Sequence, residues 1–127
     1  MKTVNQFING KEHISKSERF GDVFNPANGE ITKKVSFANN DDVKLAIDCA
    51  VEAGKKWAAT PPLTRSRLFF RFKDLILRDM DKLALELTSE HGKILSDSAG
   101  SITRGMEVVE FACGIPHLLK GEYSENV

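Results

Sequence analysis

The sequence predicts an α+β chain, with an antiparallel β ribbon over residues 1–39 and three or four α-helices over residues 40–127. Three observations carry this prediction. In "QFINGKEHI" the pair Asn9-Gly10 stands between two short β-prone runs, the strongest short-range hairpin signal a sequence offers. From Asn40 onward apolar residues recur three and four apart instead of alternating. Pro61-Pro62, Gly92 and Pro116 then fall where those apolar stripes stop or bend. The 127 residues suffice for one small domain with a core of its own.

The elements follow in order. After the Asn9-Gly10 hairpin, "DVFNPANGEITKKVSFA" sets a turn at Pro26-Gly29 between Val23-Phe24 and the alternating strand Ile31-Val35-Phe37. Such a ribbon is half polar and marginal by itself. The first helix is capped by Asn39 or Asn40, with Asp41 and Asp42 at the positive end of its dipole. Its stripe is Val43, Ile47, Ala50, Gly54 and Trp57, and Pro61-Pro62 ends it. Thr64 is the expected cap of the second helix, whose stripe is Leu68, Phe72, Leu75 and Ile76 with Phe69 beside it. A kink or break near Asp79-Met80 precedes Leu83, Leu87 and a stop at Gly92. The last helix runs from about Ser96 to Lys120, bent by Pro116. The helices carry apolar residues on more than one side, the ribbon has no sheet to join, and "KGEYSENV" adds no closing element. Such a chain is expected either to have a partner or to be a piece of something larger.

Composition narrows the function classes. Lys+Arg and Asp+Glu both number 18, so the net charge is zero and no basic surplus exists to hold nucleic acid or an anionic membrane. No apolar run approaches a membrane span. "MKTVNQFING" lacks the apolar core of a signal peptide and the Arg- and Ser-rich character of a transit peptide, which points to a reducing, cytoplasmic setting. Cys49 and Cys113 lie far apart in predicted helices, without a base or a second ligand nearby, and read as packing residues. His13, His91 and His117 also read as structural, Lys33-Lys34 as a solvated face, and Trp57, Phe69, Phe70 and Phe72 as core or interface.

Arg104 is the one residue that invites a functional reading. It sits four residues before Val108 on a stripe continued by Phe111, Ile115 and Leu118. Ile102, Met106, Val109 and Cys113 form a second stripe, so this helix is expected to pack on both sides. A guanidinium cannot shed its charge, so on an apolar wall it needs an anion. Glu107, three residues on, could supply one as an ordinary helical pair; the other candidate is a bound carboxylate.

Five segments occur in a telling order: "FINGK" at 7–11, "VFNPANGEI" at 23–31, the Ala-rich helix ending in Trp57, "SEHGK" at 89–93 and "RGMEVVEFACGIPHLLKGE" at 104–122. Together they resemble the amino-terminal part of the aldehyde dehydrogenase superfamily. The last is similar to the CoA-acylating methylmalonate-semialdehyde dehydrogenases of valine and inositol breakdown. The resemblance implies a longer enzyme that binds NAD in a Rossmann-like domain, of which this chain is the opening part. Such enzymes attack the aldehyde with a cysteine thiolate, pass hydride to NAD, lose carbon dioxide and hand propionyl or acetyl to CoA. They are homotetramers built from dimers.

The resemblance also implies that the catalytic cysteine, its asparagine partner and the NAD-binding residues lie outside these 127 residues. The residues agree: no G-x-G-x-x-G follows a strand, and "GSITRG" at 100–105 has two glycines inside a helical pattern. No catalytic, cofactor-binding or metal residue is therefore expected, and the chain alone is expected to be inactive. One functional position does map here, because the arginine opening the "RG-x-E-x-VEFA" helix of that branch is taken to bind the substrate carboxylate. That arginine is Arg104. Two other functions fit the residues: another acid-semialdehyde dehydrogenase, or a short non-enzymatic helical module that docks on a full-length relative.

Overall fold

A computed structural model describes residues 1–123 and 125. It contains β1 (Lys2–Val4), β2 (Gln6–Ile8), β3 (Lys11–His13), β4 (Phe20–Phe24), β5 (Ile31–Ser36), α1 (Asn40–Ala58), α2 (Pro62–Arg78), α3 (Met80–His91), α4 (Leu95–Cys113) and the single turn α5 (Ile115–Leu118). The chain divides into two units, Met1–Ala59 with Ser89–Gly92, and Thr60–Thr88 with Lys93–Val127.

In the first unit, Asn9 and Gly10 both hold positive φ, 53° and 75°, as a two-residue hairpin turn of the type that matches strand twist requires. This turn joins β2 and β3 with Ile8 opposite Lys11. β4 and β5 form a second antiparallel pair, and the turn between them is held by the Asn25 side chain accepting from the Ala27 amide at 2.9 Å. The ribbon therefore has the antiparallel pairs the sequence predicts. It also has a strand that the sequence pattern does not predict: β1 joins the outer edge of β5 in parallel, Val4 opposite Val35, giving the order β1-β5-β4. Of the two cap candidates it is Asn39 that caps α1, accepting from the Asp42 amide at 3.0 Å while Asp42 accepts from the Asn39 amide at 2.9 Å.

In the second unit α2 packs against α4 and α5. Two helix ends differ from expectation. Thr64 does not cap α2, which starts at Pro62; Pro62 has no amide hydrogen to orphan in the first turn, and Thr64 and Arg65 instead donate their amides to Pro61 O. The last helix is broken rather than bent: α4 stops at Cys113 and α5 restarts at Ile115, because Pro116 cannot donate to Ala112. The expected break near Asp79 falls between α2 and α3.

The larger correction concerns burial. The expected stripes are not a core here: Val43, Ile47 and Trp57 of α1 and Leu68, Phe72 and Leu75 of α2 are all exposed. The side of α2 that is withdrawn from solvent carries Ser66, Phe69, Lys73 and Ile76. Of the two stripes expected to pack, Ile102, Met106, Val109 and Cys113 of α4 are withdrawn from solvent, whereas on the other stripe Ile115 is half-buried and Val108, Phe111 and Leu118 stay 68%, 70% and 58% exposed. The stripes are apolar as their spacing predicts, and no described residue covers their exposed members.

Candidate functional site

Arg104 lies in the third turn of α4, on the open stripe. Its side chain folds back toward the helix start, as long helical side chains do. It passes over Gly100, where one guanidinium nitrogen lies 3.6 Å from the place a Cβ would occupy. Its Nη2 donates to Ser101 Oγ at 2.9 Å. The Lys93 ammonium donates to the same oxygen. Glu107 makes no ion pair with Arg104, and no carboxylate of the described residues lies within pairing distance of it. An exposed guanidinium on an apolar stripe presents a planar fork that matches a carboxylate through two parallel hydrogen bonds. Lys93 escaped the sequence reading; the only signal was its place in "SEHGK", just before the start of α4.

The residues read as structural have defined places. Asp42 is buried and accepts from three directions: Ser15 Oγ, His13 Nε2 at 2.7 Å, and the Asn39 amide. The hydroxyl of Ser15 first, then the Asn39 amide and His13, lower its carboxyl pKa to about 2. The cluster ties β3 to the start of α1, of which the sequence shows the asparagine cap and the acidic first turn. Cys113 is buried, and its carbonyl accepts from Ser66 Oγ at 2.5 Å. His117 and the Lys73–Glu110 ion pair, 3.0 Å long, line an open groove of about 450 Å³ together with Phe70 and Cys113. No three of the described His, Cys, Asp and Glu residues cluster as a metal site would require.

Comparison with known proteins shows the family. The sequence profile of the aldehyde dehydrogenase family matches residues 13–126. The chain belongs to the aldehyde dehydrogenase family. It is similar to the malonate-semialdehyde dehydrogenase of Pseudomonas aeruginosa, 43% identical over all of this chain and 25% of that protein. It is also similar to the acylating mitochondrial methylmalonate-semialdehyde dehydrogenase of Arabidopsis thaliana, 46% identical over 98% of this chain and 20% of that one. A Sinorhizobium meliloti structure, described as a methylmalonate-semialdehyde dehydrogenase complexed with NAD, superposes with a TM-score of 0.94 at 44% identity, covering 98% of this chain and 26% of its own. This chain thus spans about a quarter of the length of the relatives it matches.

The residues of this aldehyde dehydrogenase segment do not fit NAD. A dinucleotide needs a glycine-rich turn from a strand into a helix, whose amides approach the pyrophosphate. The only strand-to-helix junction among the described residues is Phe37-Ala38-Asn39, which holds no glycine. The glycines with positive φ are Gly10 in a hairpin, Gly29 in a turn and Gly92 just past the end of α3. No helix of the described residues is long and apolar enough to cross a membrane.

Proposed function

We propose that this chain is the amino-terminal part of an NAD-dependent, CoA-acylating dehydrogenase of methylmalonate or malonate semialdehyde. The full-length enzyme would oxidise and decarboxylate its substrate to propionyl-CoA or acetyl-CoA, as valine and inositol breakdown require, and work as a homotetramer in a reducing compartment, the cytoplasm. The observation that carries this reading is Arg104: a guanidinium on an open apolar stripe with no acid of the described residues to pair with, at the head of "RGMEVVEFACGIPHLLKGE". A substrate that is both aldehyde and carboxylate supplies the missing anion. Arg104 would bind and orient that carboxylate and separate acid semialdehydes from plain aldehydes. The thiol and the NAD site belong to residues outside this chain, and NAD and CoA supply hydride acceptance and acyl transfer when bound there.

Replacing Arg104 with Ala in the full-length enzyme tests the reading. The KM for methylmalonate semialdehyde should rise by about tenfold to a hundredfold relative to that for propanal, the size of one or two charge-assisted hydrogen bonds. Equal changes for both aldehydes would refute it. The 127-residue chain alone should form no NADH from either aldehyde.

A further inference from the structure

We propose that Lys93 is a second cation of the carboxylate site, held beside Arg104 by the Ser101 hydroxyl; the inference rests on the reading of Arg104 just given. Ser101 Oγ accepts from both residues at once. Two hydrogen bonds to one oxygen keep the two cationic nitrogens at most about 6 Å apart. The oxygen joining them is neutral, so two positive charges converge with nothing negative between them. Five cations of this chain are paired with carboxylates, Lys33, Lys44, Lys55, Lys73 and Arg78, and what sets Lys93 and Arg104 apart is that their side chains meet on one neutral oxygen. Lys93 and Arg104 have no carboxylate partner among the described residues, although Asp97 and Glu107 lie on the same helix.

Like charges this close repel, and half-burial of Lys93 and Ser101 weakens the screening. An anion arriving between them removes that repulsion. A carboxylate suits the geometry: one oxygen edge can take the guanidinium fork while a remaining lone pair accepts from the ammonium, which still has donors to spare. The pair is also held in place. Lys93 immediately precedes α4, and Ile94 O accepts from the Asp97 and Ser98 amides, so the lysine's backbone is fixed to the same helix that carries Ser101 and Arg104. Ser101 is a positioning residue; Lys93 touches the substrate.

The test uses the full-length dehydrogenase with malonate semialdehyde and propanal. Lys93→Met should raise the ratio of the two KM values roughly tenfold, the worth of one hydrogen bond to a charged group. Lys93→Gln should do the same, which covers the case in which the methionine variant fails to fold, and Lys93→Arg should restore the ratio. Ser101→Ala should raise it a few-fold and Ser101→Thr, which keeps the hydroxyl, should not. If Arg104→Ala shifts the ratio and neither Lys93→Met nor Lys93→Gln does, the second cation is disproved and the carboxylate reading stands. If Arg104→Ala leaves the ratio unchanged, both fall. A rise in the KM of NAD or CoA in the Lys93 variants, without a change in the aldehyde ratio, overturns the proposal in favour of a phosphate.

Discussion

Asp42 accepts hydrogen bonds from three donors, and they act on its ionised form. Ser15, the Asn39 amide and His13 all donate to it, and its pKa falls from 3.8 to about 2. A carboxyl with a depressed folded-state pKa adds stability above its unfolded value and loses it as pH falls through its folded one. The start of α1 should therefore keep its protection at neutral pH and lose it between about pH 4 and pH 2. Two measurements check this: the Asp42 carboxyl ¹³C shift, which should titrate near 2 rather than near 4, and amide exchange at Val43 and its neighbours. Ser15→Ala should move the titration upward, since that hydroxyl is the largest contributor. A titration at the ordinary aspartate value would mean that the cluster does not hold in solution.

At the scale of elements, stability rests on a few end-fixing contacts. Ser66 is buried and donates to the carbonyl that closes α4, one of the four that a helix leaves without an internal partner. Ser66→Ala should cost about 1–3 kcal/mol, the penalty of an unpaired buried acceptor, read as a lower unfolding midpoint. Gly92 carries φ +83°, and a Cβ there would lie 2.8 Å from Pro26 Cγ. Gly92→Ala should cost more than Gly10→Ala, whose added Cβ meets nothing within 4 Å: about 1–2 kcal/mol of backbone strain is common to both, and only Gly92 adds a clash. Equal costs would remove the packing explanation.

These contacts also mark what the sequence carries legibly. The Asn9-Gly10 hairpin, an asparagine cap at 39 or 40 and the Gly92 stop are local, fixed by the conformations that single residues allow, and are readable. The parallel pairing of β1 was not, because a three-residue strand has no pattern and its partner Lys33 lies 31 positions from Lys2. Asp42 meeting Ser15, and Lys93 meeting Ser101, were equally hidden, since periodicity tells which face a residue occupies and not what approaches it. Arg104 was legible as an anomaly on a stripe; its lack of an acid partner needed coordinates.

For the whole molecule the decisive fact is how little is buried. Among the described residues only Ala84 and Cys113 are buried apolar side chains, while Ile47, Phe72, Val108 and Phe111 lie open. A chain of this length that stood alone would withdraw most such side chains from water. In the proposed reading, the remaining three quarters of the polypeptide cover those stripes, and this makes the cost of one substitution depend on the length of the chain that carries it. Phe111 is 70% exposed here, so Phe111→Ala in the 127-residue chain should change stability by less than about 0.5 kcal/mol, as for any surface position. In the full-length enzyme the same change should remove a buried ring and cost about 3–5 kcal/mol. Unfolding curves of the two pairs decide the matter. A large cost in both would mean that the short chain already buries Phe111, by folding further or by self-association. A small cost in both would mean that the stripe stays open in the complete protein, and the ring would then have to be sought at a surface used by something other than the rest of its own chain.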